Sequence, residues 1–333
     1  MSLPALIALL LGLSLTAYAL LAGADFGAGA LDLLAGKRNS DREAIAATIG
    51  PLWEANHVWL IFSITILFSA FPAAFSALGT ALLAPLTIAL LTIVLRSVAL
   101  GLRSSAGGRS PTQIPLSRLF GCASVVAAFA FGTVAGGLAL ASVRRAPIGT
   151  TPAIPWTEPF ALLVGALTVA LCAALAASFV SLNLYRSDED LITERFRRRA
   201  LGSTACVLVL SVAALAVSAA TAPALWHRLT GAGQPALITG LLATLLSLLA
   251  IAGRWYGPAR LLTMLSGAAI LWGWFAAQTP RLIGTHLTIH TAAAAHPALI
   301  AIAIAIGIVL LLVLPATYLL FALFGRPVLE VTE

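Results

Sequence analysis

The residues of this sequence best suited to chemistry are a few ionisable side chains within or beside long apolar runs. Asp25 directly follows the first apolar run, and Glu54 and His57 lie at the start of the second. A carboxylate near the centre of a bilayer costs about 3 kcal/mol, so it is rarely without a role. Burial can move the pKa of carboxyl and imidazole groups towards neutrality, which suits them to proton transfer. Asp25, Glu54 and His57 therefore predict a proton pathway.

Three interpretations are open for Glu54 and His57, which lie three positions apart and so share a helix face. Glu-x-x-His is also the ligand spacing of di-iron bundles, but these require a second Glu-x-x-His motif, and the sequence contains only one. Glu54 and His57 could instead interact only with each other at the membrane–water interface and have a structural role. We favour proton handling, because Asp25 would lie close by if the first two helices pack together. The supporting neighbours are expected to be Trp53, Asn56 and Trp59.

A second aromatic segment, with Trp272, Trp274 and Gln278, lies near the end of a later apolar run. Tryptophan near the end of a span is commonly an anchor at the membrane interface. Trp272 and Trp274 are two positions apart, so their side chains point to different sides of a helix. At least one of them is predicted to face the protein interior or a partner.

The histidines and cysteines do not form a recognisable ligand set for a metal or a haem. Membrane b-type haems need two axial ligands on facing helices, and only His57 and Met264 are associated with apolar spans. His286 and His290 have a spacing that could bind zinc on a helix, but with only His296 nearby a solvated loop pair is favoured. We therefore predict that this chain by itself ligates neither a metal ion nor a haem. The cysteines fall in three separate apolar segments, at Cys122, Cys172 and Cys206.

The composition places these residues in an integral membrane protein. Of 333 residues, 60% are apolar and only 9% are charged, whereas a soluble domain has about 25% charged residues to keep its surface solvated. The sequence has no long polar or Gly-X-Y tracts, which excludes disordered and fibrous classes. The net charge of +7 comes from basic residues scattered over short loops, which favours a membrane face over nucleic-acid binding.

A bilayer core of about 30 Å requires roughly 20 apolar residues per helix, and this rule predicts nine spans in a single transmembrane domain over residues 1–333. The fold class is an all-α integral membrane protein, expected to form two four-helix bundles plus one extra helix. The first run has no basic residue before Lys37, so it lacks the charged start of a signal peptide and should remain in the mature protein. The predicted spans are 4–24, 52–71, 74–101, 117–141, 157–182, 200–220, 235–252, 258–277 and 297–324.

The positions of Lys and Arg predict how the chain crosses the membrane. Cytoplasmic loops of membrane proteins carry an excess of positive charge. Most of the 19 Lys and Arg residues fall in alternate loops, beginning with Lys37, Arg38 and Arg42, and Arg96 lies within the third span. The N-terminus is thus predicted outside and the C-terminus in the cytoplasm. The basic residues on the opposite side are Arg144, Arg145, Arg228 and Arg281.

Around the candidate residues, the sequence resembles subunit II of the bd-type quinol oxidases, the terminal oxidases of many bacteria. The resemblance rests on Gly-Ala-Asp-Phe-Gly-Ala-Gly at 23–29 and Gly-Pro-Leu-Trp-Glu-Ala-Asn-His-Val-Trp-Leu-Ile at 50–61. Further matching segments are Leu-Phe-Ser-Ala-Phe-Pro at 67–72, Trp-Gly-Trp at 272–274, Ala-Gln-Thr-Pro at 277–280 and Leu-Thr-Ile at 287–289. Because the motifs occur in the right order, and length and span number also fit, the resemblance covers essentially the whole chain.

The resemblance implies a heterodimer in the bacterial cytoplasmic membrane. Subunit I would carry the haems, two b-type and usually one d-type, and the quinol-oxidising loop, while subunit II would carry no haem ligand. The complex would oxidise quinol near the outer face and reduce dioxygen to water with cytoplasmic protons, generating a potential without pumping. Glu54 and Asp25 would feed protons, or stabilise a water chain, towards the partner's oxygen site. A small single-helix accessory subunit and a structural quinone are further expectations, with Trp272, Trp274 and Gln278 contacting the quinone or the partner.

The sequence departs from some relatives, which carry Asp in place of Glu54 and an acidic residue in place of His57. Glu keeps a carboxylate with one more methylene of reach, whereas His57 replaces an acid with a neutral or cationic group. Two other hypotheses stay open at this point. The chain could be a secondary transporter that uses Asp25, Glu54 and His57, with Pro51 and Pro72 marking a broken helix. It could also be a structural partner whose buried charges only lock an interface.

Overall fold

The structure, a computed structural model of the chain, describes residues 2–36, 38–105, 113–143, 154–187 and 189–324. Within these ranges, the description leaves out the side chains of residues 49–55, 104–105, 113, 314, 317 and 320–324. The described elements are α1 (Leu3–Ala35), α2 (Asn39–Ala70), α3 (Pro72–Ala81), α4 (Leu83–Ser105), α5 (Gln113–Ala141), α6 (Pro159–Arg186), α7 (Asp190–Thr221), α8 (Pro223–Thr230), α9 (Gln234–Ala252), α10 (Tyr256–Gln278), β1 (Arg281–Ile283), β2 (Leu287–Thr288) and α11 (His296–Phe324).

Eight of these helices are long and apolar enough to cross a membrane, counting only described residues: α1, α4, α5, α6, α7, α9, α10 and α11. The C-terminal half of α2 and the short α3 meet at an angle of 114°, and counting this bent pair as one span gives nine. The bend follows from Pro72, which has no backbone N–H to donate and restricts the residue before it. The predicted all-α membrane fold is confirmed. The predicted span 74–101 is divided between α3 and α4, which are separated at Leu82.

The first two helices extend beyond their predicted spans. Counting apolar residues ends the first span at residue 24, but α1 continues to Ala35. It runs through Asp25 and Asp32 because both carboxylates are buried and paired with arginines. Similarly, α2 begins at Asn39 rather than at residue 52. A polar segment at the end of a span has no hydropathy signal, yet it can continue a helix.

Helix α6 is the centre of the packing and contacts α1, α5, α7 and α10. Glycines let the backbones approach closely: a Cβ atom added to Gly27 of α1 would overlap the carbonyl oxygen of Cys172 on α6. Gly132 and Gly136 of α5 lie equally close to α6. The GxxxG pairs Gly23/Gly27 and Gly132/Gly136 therefore serve helix packing, whereas in the pair Gly253/Gly257 a Cβ atom on Gly257 would meet nothing within 4 Å.

The helices divide into two groups that meet at α6. In the first group, α1 packs on α2 and α5, and α4 packs on α5. In the second group, α6, α7, α9 and α10 pack in sequence, while α11 lies against α2. The antiparallel hairpin of β1 and β2 follows α10. The segment that follows the hairpin is joined to the end of α2 in the first group, since the backbone N–H of Ala294 donates to the carbonyl of Ala70.

Candidate functional site

Two deeply buried charges form an ion pair, Asp25 of α1 with Arg96 of α4, each only 2% exposed. Arg96 Nη2 donates to Asp25 Oδ1 at 2.6 Å, and Nη1 donates to Oδ2 at 2.7 Å. Two parallel, short hydrogen bonds are the strongest geometry for a guanidinium and a carboxylate. Since the pair is both buried and bidentate, each charge is compensated where no water can reach it.

The rest of the Arg96 guanidinium is also fully engaged. Its Nε donates to the hydroxyl of Ser124 on α5 at 2.9 Å. The guanidinium lies 4.9 Å from the ring centroid of Phe26 and 5.1 Å from that of Phe120, within the range of cation–π attraction. We call Asp25, Arg96 and Ser124 the inner triad, and it joins three helices through one arginine.

Asn56 connects α2 to the inner triad. Its side-chain Nδ2 donates to Asp25 Oδ2 at 3.0 Å, and the residue is buried. The expectation that Asp25 lies beside the second helix is therefore confirmed. The side chains of Glu54 and Trp53 fall outside the described residues, although both positions lie in α2. His57 follows Asn56 in the same helix and is half-buried.

A second cluster repeats the inner triad two helical turns away. Arg103 of α4 donates through Nη1 to Asp32 Oδ2 of α1 and to Ser117 Oγ of α5, both at 3.3 Å. We call Asp32, Arg103 and Ser117 the outer triad. Each member lies seven residues from its counterpart on the same helix, so the three helices carry matching positions on facing sides. α1 and α4 run in one direction and α5 in the other.

The outer triad borders a cavity of about 190 Å³ at the end of α1. Its lining includes the polar residues Asp32, Arg42, Ser117 and Arg118. Arg42 Nε lies 3.5 Å from Asp32 Oδ1, an ion pair that is too long for a hydrogen bond of normal strength. The inner triad is buried, with each member at most 2% exposed, whereas the outer triad borders a space large enough for several waters.

A third buried carboxylate, Asp41, ties the start of α2 to α7. It accepts from Arg195 at 2.7 Å and from Arg199 at 2.6 Å, and it is fully buried. Arg38 lies 3.6 Å away as an additional cation. This cluster also places negative charge in the first turn of α2, where the helix dipole favours it. These short hydrogen bonds indicate a structural role, in which Asp41 holds the start of α2 against α7.

The predicted aromatic residues are used mainly for internal packing. Trp274 Nε1 donates to the carbonyl oxygen of Ala135 on α5 at 2.9 Å. A Cβ atom on Gly12 of α1 would lie 3.5 Å from the ring of Trp272, so the two tryptophans face different helices of the protein. Trp59 is buried in α2, and its indole N–H has no partner among the described residues.

The opposite end of the bundle holds Gln278 and two neighbouring arginines. Gln278 is buried, and its Oε1 accepts no hydrogen bond from the described part of the chain. Arg228 donates to the carbonyl of Ala277, and Arg281 donates to that of Ser142. Burial, and then the positive charge of Arg281, lower the pKa of Arg228 from its ordinary value. Both arginines satisfy carbonyls at helix ends, where cations are favoured.

The outer triad and the role of Arg96 were not predicted from the sequence. Hydropathy places Arg96 only within a span, and it ends the first span at residue 24, before Asp32. The signal that could have found them is a shared spacing, because Asp25 and Asp32 are separated by the same interval as Arg96 and Arg103. Among the described residues, no group of three or more His, Cys, Asp or Glu side chains is arranged to hold a metal ion.

Comparisons with known proteins point to one family, and the family profile and a solved structure cover most of the chain. The profile of the family described as "Cytochrome bd terminal oxidase subunit II" matches residues 3–324. A solved structure, that of the bd oxidase from Geobacillus thermodenitrificans, is similar with a TM-score of 0.81 and 19% sequence identity, covering 97% of this chain and 99% of that one. At this identity the likeness supports the fold.

Three curated relatives are similar over shorter stretches. "Cytochrome bd ubiquinol oxidase subunit 2" of Bacillus subtilis (strain 168) is 36% identical over 83 residues, which is 25% of each chain. "Cytochrome bd-I ubiquinol oxidase subunit 2" of Escherichia coli (strain K12) is 31% identical over 96 residues, 29% of this chain and 25% of that protein. "Probable cytochrome oxidase subunit 2" of Haemophilus influenzae is 24% identical over 188 residues, 55% of this chain and 48% of that protein. The first two alignments thus span about a quarter of each relative's length.

Proposed function

The chain belongs to the cytochrome bd terminal oxidase subunit II family, and from this premise we propose that it is the non-haem subunit of a bd-type quinol:oxygen oxidoreductase. The family match over residues 3–324 is the observation that carries the proposal. In the complex, quinol would be oxidised and dioxygen reduced to water by four electrons. The chain would act only together with a haem-bearing subunit I in a bacterial cytoplasmic membrane, with its N-terminus outside and its C-terminus in the cytoplasm.

The haems, b-type with or without a d-type, are assigned to subunit I. The described histidines of this chain do not fit axial ligation, because His57 lies in α2 while His227, His286, His290 and His296 lie in α8, the hairpin region and the start of α11. Two axial ligands must face each other across a haem. Haem chemistry is therefore proposed for the partner subunit. The part proposed for this chain is to bind that partner and to guide protons.

For proton delivery we propose that Glu54 is the carboxylate that carries protons from the cytoplasm, with His57 beside it in α2. Asp25 has a different part in the same pathway. Its carboxylate is held by two hydrogen bonds from Arg96 and one from Asn56, so it supplies a fixed negative charge that orders the neighbouring turn of α2. Such a charge stabilises a water chain or a passing proton without leaving its place.

Trp272, Trp274 and Gln278 remain proposed contacts of the partner or of a structural quinone. Gln278 Oε1 supports this, because it is buried and accepts no hydrogen bond from the described residues. Buried acceptors are normally hydrogen-bonded, so a donor from a bound molecule would stabilise this site. A quinol hydroxyl or a donor from the partner subunit would satisfy it. A small single-helix accessory subunit could join the complex at the apolar surface, where the exposed large residues of the spans lie.

The alternative function is a secondary transporter that uses Asp25, Glu54 and His57. Transporters commonly have broken helices in both halves of the chain. The bend between α2 and α3 is one such break, but it is the single bent pair found among the described residues. Asp25 is also already satisfied by Arg96, which leaves it little capacity to bind a substrate or a coupling ion.

The proposal is tested by purifying the tagged chain from its native membranes in a gentle detergent. We expect a larger subunit to co-purify, with haem bands in the reduced-minus-oxidised spectrum and oxygen uptake driven by quinol. The spectrum would also identify the haem type in the partner. An intact preparation without haem would refute the oxidase function and favour the transporter.

A further inference from the structure

Three buried carboxylates are found among the described side chains of α1 and α2, and they differ in how closely arginines hold them. The shortest contacts of Asp25 and Asp41 with guanidinium nitrogens are 2.6 Å. Those of Asp32 are 3.3 Å to Arg103 and 3.5 Å to Arg42. Hydrogen bonds between charged groups are normally about 2.7–2.9 Å long. Asp32 is therefore the one carboxylate of the three whose ion pairs leave room for another group.

Two polar atoms without a hydrogen-bond partner belong to residues that line the cavity. Asp32 Oδ1 and Arg42 Nε are buried, and neither has a hydrogen-bond partner among the described residues. Asp32 lines the cavity of about 190 Å³, together with Arg42, Ser117 and Arg118. The cavity is large enough to hold several water molecules. Polar cavities of this size contain water, since water supplies the missing donors and acceptors.

We propose that the outer triad and its cavity form a hydrated proton-uptake site at the arginine-rich end of the bundle, with Asp32 as the residue that takes up the proton. This inference rests on the proposed function and names the place where protons first enter this subunit. A hydronium ion in the cavity transfers its proton to Asp32 Oδ1 and becomes water. The proton then leaves to the next acceptor along the route, so that the carboxylate is restored in each cycle.

The ring of Phe120 lies beside both triads. Phe120 lies between Ser117 and Ser124 on one face of α5, at spacings of three and four residues. The guanidiniums of both triads lie against its ring, that of Arg96 at 5.1 Å and that of Arg103 at 5.7 Å. A proton that continues from the outer triad to the inner triad passes this ring, or it branches towards α2.

Hydration is tested by thiol labelling, independently of activity. In a background lacking Cys122, Cys172 and Cys206, we would introduce Ser117→Cys and, as a control, Leu119→Cys. Ser117 is buried and lines the cavity, whereas Leu119 is 39% exposed on the same helix and does not line it. With 2-aminoethyl methanethiosulfonate on the purified complex in nanodiscs, Ser117→Cys should react at least about tenfold faster, because thiol reactivity follows access to water. Equal rates, or a slower Ser117→Cys, would overturn the hydrated cavity.

The proton role is tested by Asp32→Asn and Asp32→Glu in the same complex. Asp32→Asn should lower quinol-driven oxygen uptake per folded, haem-loaded complex by about tenfold, a loss within the range for a positioned acid or base. Asp32→Glu should restore most of the rate, because it restores a titratable carboxylate. Glu43→Gln, an exposed acid at the same end, is the matched control and should leave the rate unchanged.

A purely structural Asp32 would give a different pattern. Both substitutions would then lower the thermal midpoint, and the rate would follow the amount of folded complex; this result would overturn the proton role. A normal rate in Asp32→Asn would do the same. If the unaltered complex shows no haem partner and no oxygen uptake, the proposed function fails and the proton role with it, while the labelling experiment still decides whether the cavity is hydrated.

Discussion

Replacing Arg96 with Met should destabilise the protein strongly. The substitution keeps an unbranched stem without the guanidinium and leaves Asp25 buried, with Asn56 as its one remaining side-chain donor among the described residues. Removing one partner of a buried ion pair typically costs about 3–5 kcal/mol, because the remaining charge stays out of water. Two bonds of 2.6 and 2.7 Å are lost here, so the upper part of that range is expected.

The ion-pair origin of this loss is tested by combining Arg96→Met with Asp25→Leu. Replacing both charges with apolar side chains is often close to neutral, so the double variant should recover most of the loss. Thermal and denaturant unfolding of the purified protein would be compared for the two single variants and the double variant. Arg198→Met is the control, because the Arg198 side chain is 78% exposed, and it should behave like the unaltered protein. A loss below about 1 kcal/mol in Arg96→Met, or a double variant no more stable than Arg96→Met, would refute the reasoning.

Three further predictions concern packing, catalysis and topology. Gly27→Ala should sharply reduce the yield of monodisperse protein, because its Cβ atom has no room against α6, whereas Gly79→Ala, with open space around it, should not; equal yields would contradict the packing. Glu54→Gln should slow oxygen reduction or block maturation of the complex, while Glu54→Asp should retain turnover; unaltered turnover in Glu54→Gln would remove this residue from the proton route. Single cysteines at positions 40 and 150 should be labelled by impermeant reagents from the cytoplasmic and outer sides respectively, and the reverse pattern would invert the predicted orientation.

Hydropathy was sufficient to predict the fold class, because each span must present about 20 apolar residues to lipid. It failed at the ends of helices. α1 extends through Asp25 and Asp32 since arginines on another helix neutralise them, and a local count of apolar residues has no information about partners 71 positions away. The bend at Phe71 was marked only by Pro72, which was considered as part of a broken transporter helix.

The candidate site was predicted only in part for the same reason. Asp25 stood out by its cost in a membrane, and Asn56 by its place beside Glu54, so their contact follows from two neighbouring helices packing together. Arg96 was visible as a charge within a span, but its partner was not. The looser geometry of Asp32 and the adjoining cavity depend on atomic distances, which no residue pattern specifies.

The pairing of Asp25 with Arg96 also has a consequence for the biogenesis of the protein. An arginine near the centre of a span disfavours insertion of that helix by about 2.5–3.5 kcal/mol. α4 is synthesised after α1, so when Arg96 reaches the translocon its counter-charge is already in the bilayer. α1 thus supplies the counter-charge, Asp25, before α4 brings Arg96 into the membrane. This order of the two charges along the chain makes insertion of α4 depend on α1.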